Sequence, residues 1–463
     1  MDFDIIKQNN SSNLLMIFGG WSTDPSFYSH IKPEGWDVVA ITSYSDFNFP
    51  YEILDQYSSV GIIAWSFGVY AAEKSMGNKK VAFAVAVNGT TRPINDEYGI
   101  PENIFSGTLS SLNQRNLLKF RKRTFGNAFP QVENLLPSDD NIVNLKKELE
   151  FIRNQSRLSS QPSINPFFWT KAYISSDDRI FPPLAQEKAW KEFYPSTEIL
   201  QIKGDHWIDL NKIASSILVP RPVIAKKFEK SLARYDANAF AQREIAVKLT
   251  QMAPPSKCGR ILEIGHGSGL FSRMIAEKLR PEIFDFIDLY RVEPFNIAPQ
   301  ENYITGDAEQ ILKDLVLNHE FEKQSDKEDI TLYDAIVSSS AVQWFADPAK
   351  FFDNCFKLLK PGGFLLFSTF SHNNLKELTR LNPFRILYRS RSEIEYYLLK
   401  IFGNVKSEED IIRLDFDSGR KALLHLALTG VGSTGNQRSH SSEDLPAPTA
   451  LTFYPLFFLS YKS

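Results

Sequence analysis

The chain has 463 residues, 43% hydrophobic and 23% charged, with 52 Lys and Arg against 55 Asp and Glu and a net charge of −3. That length holds two or three domains with cores of their own and excludes a mini-protein, and the charge balance argues against a dedicated nucleic-acid binder. The two cysteines, Cys258 and Cys355, form no C-x-x-C pair, so neither a disulfide framework nor a zinc ribbon is available, which fits a reducing cytoplasm.

The first residues, Met1 to Ile6, are acidic where an export signal is basic. No apolar run approaches the roughly 20 residues of a membrane helix. A cytoplasmic protein without membrane contact is expected. Short β-rich runs then alternate with helical patterns: Leu14 to Phe18, Val38 to Thr42, Val60 to Trp65, a helix Phe67 to Met76, and Val81 to Val87. Such alternation predicts a parallel sheet flanked by helices. Residues 90–165 lose the rhythm and lean helical, which predicts a helical lid inserted in one α/β domain. Strands resume at Lys171 to Ser175 and Glu198 to Ile202.

The prolines of Val219-Pro220-Arg221-Pro222 predict a boundary. The expected domains are therefore 1–218 and 219–463, both α/β. In the second, a helix is expected over Ala237 to Met252, a strand at Arg260 to Ile264 and a helix from Leu270. Strands follow at Phe284 to Leu289, Tyr303 to Thr305 and Tyr333 to Ser338. Then come a helix Pro348 to Leu359, a turn Lys360 to Gly363 and a strand Phe364 to Phe370. The Gly-, Ser- and Pro-rich tract Gly430 to Ala447 reads as a mobile loop before a terminal strand, Leu451 to Tyr461.

Chemistry enters at Ala64-Trp65-Ser66-Phe67-Gly68, where an apolar strand meets a serine flanked by small residues and then a helix. That is the pattern of a nucleophile elbow in an α/β-hydrolase fold, with alanine at the first small position. Asp178, in the loop after Lys171 to Ser175, is the candidate acid, with Asp177 the alternative. His206, in Gly204-Asp205-His206, is the candidate base, so the order is Ser, Asp, His. The Phe18-Gly19-Gly20-Trp21 loop after the first strand would bring a backbone amide to the oxyanion, with Trp21 and Phe67 as donors. These motifs resemble the pimeloyl-acyl-carrier-protein methyl ester esterases of the BioG type, over about residues 3–215. Between Glu102 and Glu133 there is no acidic residue, while Arg115, Lys119, Arg121, Lys122 and Arg123 crowd together. A basic lid face of this kind would hold an acidic carrier protein or its phosphopantetheine phosphate.

The second constellation is Glu263-Ile264-Gly265-His266-Gly267-Ser268-Gly269, between a strand and a helix. Asp288 ends the next strand and Asp307 the one after. This spacing suits S-adenosylmethionine (SAM) better than a dinucleotide, because no diphosphate needs cradling. Glu263, Gly265, Gly267 and Gly269 would line the adenosyl and methionine parts, Asp288 the ribose hydroxyls and Asp307 the adenine amino group. With Lys360-Pro361-Gly362-Gly363, these landmarks look like the class I SAM-dependent methyltransferases, a Rossmann-like fold. Within them the chain resembles the malonyl-acyl-carrier-protein O-methyltransferases of the BioC type over roughly residues 224–463. Phe228, Tyr235, Asp236, Gln242 to Glu244, Ser339 to Trp344 and Leu428 to Val431 carry that resemblance. Tyr235 and Gln343 are candidate substrate-orienting groups.

Methylating a carboxylate needs neither a general base nor a metal, since the nucleophile is already ionised at neutral pH. The resemblance implies opposing activities at two stages of pimelate assembly for biotin: masking malonyl-carrier protein as its methyl ester, then unmasking the elongated product. The rival readings are a thioesterase fused to a small-molecule methyltransferase, or one domain acting only as a carrier-protein docking module. The missing Asn-Pro-Pro-Tyr type motif argues against a nucleic-acid substrate.

Overall fold

The computed structural model describes the chain except residues 78, 138–140, 159–167, 325–331, 431–444 and 446–448. It divides into two compact units, Met1–Leu218 and Val219–Ser463. Among the described residues no helix is long and apolar enough to cross a membrane.

The first unit is built on seven strands: β1 (Asp2–Lys7), β2 (Asn13–Phe18), β3 (Asp37–Thr42), β4 (Ser59–Trp65), β5 (Phe83–Val87), β6 (Lys171–Ser175) and β7 (Glu198–Ile202). Their order is β1-β3-β2-β4-β5-β6-β7, with β1 antiparallel to β3 and every other pair parallel. Strands β3 to β6 are buried along their whole length, as a sheet covered on both faces requires, which is why they read as continuous apolar runs. Between β5 and β6 lie the helices Glu102–Ser110, Gln114–Phe125 and Ile142–Leu158.

The second unit holds β8 (Arg260–Ile264), β9 (Ile283–Asp288), β10 (Gln300–Thr305), β11 (Tyr333–Ser339), β12 (Leu359–Phe370), β13 (Lys406–Glu409), β14 (Ile412–Phe416), β15 (Thr449–Phe453) and β16 (Pro455–Tyr461). The main sheet runs β10-β9-β8-β11-β12-β16-β13, with β14 and β15 paired apart from it. Strand β16 is antiparallel to β12, so one reversed strand lies between the parallel part and β13.

Three local expectations are corrected here. The helix expected over Ala237 to Met252 is two helices, Arg221–Asn238 and Phe240–Met252, broken at Ala239. Pro222 lies in the first turn of the former, where a missing N–H breaks no helical bond. The tetrapeptide Lys360 to Gly363 is a bulge inside β12, since the pairing steps from Tyr333–Leu359 to Ala335–Phe364. Gly362, at φ +78°, permits it. The terminal strand is two, β15 and β16, which enter different sheets on either side of Tyr454. Strand β13 is Lys-Ser-Glu-Glu, a polar sheet edge with no apolar signal. The Gly430 to Ala447 loop lies almost wholly outside the described residues.

Candidate active sites

In the first unit β4 delivers Ser66 at φ 61° and ψ −126°, a conformation that costs an L-residue energy and must be enforced by its surroundings. Close backbone approach enforces it. A Cβ on Gly68 would come within 2.3 Å of the Phe18 carbonyl oxygen, and one on Gly89 within 2.3 Å of the Ser66 oxygen. The Ser66 hydroxyl lies 3.0 Å from His206 Nε2, and His206 Nδ1 lies 2.8 Å from Asp178 Oδ2. All three side chains are buried, Ser66 at 4%, Asp178 at 6% and His206 at 1% exposure.

Asp178 is fixed further. Its Oδ1 accepts the Ile180 and Phe181 amides at 2.8 and 2.9 Å, and its Oδ2 accepts Gln186 Nε2 at 3.0 Å. Asp177 is exposed and meets the Ser176 hydroxyl instead, and Asp178 is the aspartate paired with His206. The Phe181 ring stacks on the imidazole at 5.9 Å, while Trp65 Nε1 and Asn88 Nδ2 both donate to the His206 carbonyl, at 2.9 and 2.8 Å. Sequence reasoning missed Asn88 and Gln186. The available signal for Asn88 was an asparagine ending β5, a residue type that tolerates its φ of +46°.

The Gly19–Trp21 loop packs on the elbow: a Cβ on Gly20 would meet the Trp65 ring at 2.7 Å. Among the described residues, the Trp21 and Phe67 amides have no acceptor, as an oxyanion site requires. Of the basic lid residues, Arg115, Lys119, Lys122 and Arg123 are exposed. Arg121 is not, which corrects its expected place on the outer face. Helical spacing turns it inward with Leu117, Thr124 and Phe125, and it donates to the carbonyls of Ser22 at 2.8 Å and Pro137 at 3.2 Å.

In the second unit a cavity of about 790 Å³, its open mouth included, lies at the carboxyl ends of β8, β9 and β10. The Arg221–Asn238 helix covers it with Arg221, Ile224, Phe228, Leu232 and Tyr235, one stripe at helical spacing. Gly265 and Gly267, both at positive φ, form the glycine-loop wall. Asp288 lines the cavity too, and its Oδ2 accepts the Gly267 amide at 2.9 Å. Burial holds its carboxyl above the usual range, and burial likewise holds the adjacent His266 below the ordinary histidine value. Burial also raises the Tyr235 phenol. Asp307 lines the cavity and pairs with Arg221 Nε at 2.9 Å, while Arg221 also reaches Glu309 and the Trp344 carbonyl.

Three expected contacts are not brought to this cavity. Glu263 is wholly buried in β8, its carboxyl pushed up to about 8 by desolvation. Gly269 is not among the lining residues; it starts the next helix at φ +80°, where a Cβ would strike the Phe295 ring. The Gln343 amide is spent on the Ser340 carbonyl and the Thr369 hydroxyl. Arg221 went unread because its role depends on a helix reaching back over the sheet.

Glycines at left-handed φ and a carboxylate at the end of β9, both lining one cavity, fit SAM. Fold and site thus define a class, an α/β-hydrolase unit followed by a Rossmann-like methyltransferase unit. Residues 1–213 match the family "Pimeloyl-ACP methyl esterase BioG", and residues 237–399 match the family "Methyltransferase domain". The malonyl-[acyl-carrier protein] O-methyltransferase of Bacteroides fragilis (strain 638R) is 32% identical over 97% of this chain and 92% of its own length. That of Bacteroides thetaiotaomicron is 37% identical over 47% of this chain and 81% of its own. The crystal structure of BioG from Haemophilus influenzae is 30% identical, covering 45% of this chain and 94% of that one, with a TM-score of 0.41. The chain belongs to the malonyl-[acyl-carrier protein] O-methyltransferase family, in a form that carries a BioG-family domain ahead of the methyltransferase domain.

Proposed function

We propose that residues 219–463 methylate the free carboxylate of malonyl-acyl-carrier protein and that residues 1–218 hydrolyse the methyl ester of pimeloyl-acyl-carrier protein, two activities of biotin-precursor synthesis on one chain. The observation that carries the reading is the unbroken hydrogen-bonded line Ser66–His206–Asp178 in one unit, taken together with a cavity built around Asp288 in the other. Ser66 Oγ attacks the ester carbonyl while His206 takes its proton, and the oxyanion forms against the Trp21 and Phe67 amides. His206 then protonates departing methanol, and water, activated by the same imidazole, releases the free acid from Ser66. Asp178 holds the ring in the tautomer that this requires.

In the second unit Gly265, Gly267 and Asp288 would hold SAM, Asp288 through the ribose hydroxyls and Asp307, beside Arg221, near the adenine. When bound, SAM supplies a methyl group on a sulfonium. The chain's part is to align an ionised carboxylate and exclude water, which the apolar stripe of the covering helix suits. Arg115, Lys119, Lys122 and Arg123 offer the outward cations for an acidic carrier. Masking makes chemical sense because an apolar elongation site rejects a free carboxylate on desolvation grounds.

Mass spectrometry tests this on carrier protein loaded with malonate or with methyl pimelate, using wild type, Ser66→Ala and Asp288→Ala with SAM. The expected result is a methyl gain lost only in Asp288→Ala and a methyl loss abolished only in Ser66→Ala. If neither mass changes with wild type, the carrier-protein substrates are wrong.

A further inference from the structure

The lid does more than cover Ser66. Two of its helices grip the loop that carries Trp21. From Gln114–Phe125, the Phe120 ring meets Trp21 edge-on at 5.0 Å and Arg121 donates to the Ser22 carbonyl at 2.8 Å. From Ile142–Leu158, the Leu145 carbonyl accepts the Trp21 indole N–H at 3.2 Å. The Glu148 carboxylate on that helix accepts the Tyr44 amide at 3.2 Å, and the Tyr44 hydroxyl donates to the Gly19 carbonyl at 2.6 Å.

The base of the loop has other anchors, since the Gly19 amide donates to the Ile41 carbonyl and the Gly20 amide to the Tyr28 hydroxyl. Its tip is held from within by the Thr23 hydroxyl, which donates to the Gly20 carbonyl at 2.6 Å, and from outside by the lid. Ser22 sits at φ 67°, a conformation that an L-residue keeps only when its neighbours hold it. Arg121 is 7% exposed, and its guanidinium donates to the carbonyls of Ser22 and of Pro137, which lies between the two lid helices. A buried guanidinium is thus committed to the residue next to the oxyanion donor.

We propose that Arg121 is a positioning residue for ester hydrolysis: from its buried place on the lid helix it fixes the Trp21–Ser22 tip and so completes the oxyanion site. This rests on Ser66 as nucleophile and Trp21 as donor. The outward cations lie on the same helix, so a carrier seated on them bears on the oxyanion loop through Arg121 on the opposite face.

The test uses the full chain with p-nitrophenyl butyrate, a small ester that needs no carrier, and a butyl trifluoromethyl ketone, whose adduct places an oxyanion in the same site. In Arg121→Met, kcat falls on the order of tenfold to a hundredfold and ketone affinity falls by the same factor, with KM within about twofold of wild type. Arg121→Lys recovers part of both, because an ammonium still donates to Ser22. Leu118→Ala, at an exposed position of the same helix, leaves both unchanged. A folded Arg121→Met with wild-type kcat and ketone affinity overturns the proposal, as does a rise in KM alone. If Arg121→Met does not fold, Arg121→Lys decides: lowered kcat with matching loss of ketone affinity supports the proposal, and wild-type values overturn it. Ser66→Ala runs alongside, and hydrolysis surviving in that variant refutes the nucleophile reading itself.

Discussion

The two units build their candidate sites from different materials. The first uses side chains: Ser66 and His206, 140 residues apart, meet at 3.0 Å, and Asp178 spends its two oxygens on His206, Gln186 and two amides. The second relies on backbone at glycines, one carboxylate that itself accepts the Gly267 amide, and an apolar stripe. Both units carry backbone strain: Asn10, Ser22, Ser43, Ser66 and Asn88 take positive φ in the first, and in the second, besides Gly265, Gly267 and Gly269, so do Arg280, Asn296, Ser340 and Leu375, of which Ser340 lines the cavity. A side-chain site fails all at once, whereas a backbone site should erode by degrees.

The largest effect therefore belongs to the first unit. Asp178→Asn should lower ester hydrolysis by about 10⁴-fold through the wrong imidazole tautomer and leave methyl transfer intact, while Asp177→Asn changes neither. Paired assays of both activities on each variant check this, and a parallel fall in methyl transfer would break the contrast between independent sites.

Next comes a pH effect that both units share. Glu148, in the lid, is pushed up to about 7, and Glu263, beneath the glycine loop, to about 8, each by burial. Both values lie above the ordinary 4.5, so the folded form favours the neutral acid. The stability each contributes is full below about pH 4.5 and is lost as pH rises through about 7 for Glu148 and about 8 for Glu263. Against Glu148→Gln, the wild type should lose about 3 kcal/mol across that window, with a larger loss against Glu263→Gln. Urea unfolding from pH 4 to 9 measures it; curves that stay parallel to the variants' would sink the idea.

Calorimetry with S-adenosylhomocysteine then ranks the cavity residues. Asp288→Ala should weaken binding by about tenfold to a hundredfold, the worth of charge-assisted hydrogen bonds. Glu263→Gln at pH 7 should leave affinity unchanged, because that carboxyl does not line the cavity.

This last pair marks the limit of what the amino-acid order reveals. Strand and helix positions such as Phe67–Met76, Lys171–Ser175 and Arg260–Ile264 were readable to the residue, since buried strands and helix starts carry local signals. That Ser66, Asp178 and His206 meet in one hydrogen-bonded line was legible because each follows a strand end in the loop where such a line is built. Glu263, Gly269 and Gln343 do not line the cavity, because a motif records that residues lie near a site and cannot separate lining from support. Arg121 illustrates the same loss on a helix: five cations in nine positions look alike until the helical turn sends one inward.

The smallest effects should lie within the glycine loop itself, and they separate two reasons for glycine. Gly267 sits at φ +57°, and the nearest atom an added Cβ would meet is the Tyr290 hydroxyl at 3.9 Å, an ordinary contact. Gly267→Ala should therefore cost only the left-handed conformation, about 1 kcal/mol of stability. At Gly265, φ is +74° and the Cβ would lie 2.5 Å from Ala341 Cβ. That atom is fixed to the backbone and cannot swing away, so Gly265→Ala adds a shift of the β11-to-Trp344 segment to the same conformational cost. Chemical denaturation should rank Gly265→Ala below Gly267→Ala, and the double variant with Ala341→Gly should return the first to the level of the second. Equal losses in the two single variants would mean that the loop gives way as a whole and that close approach to Ala341 does not set its shape.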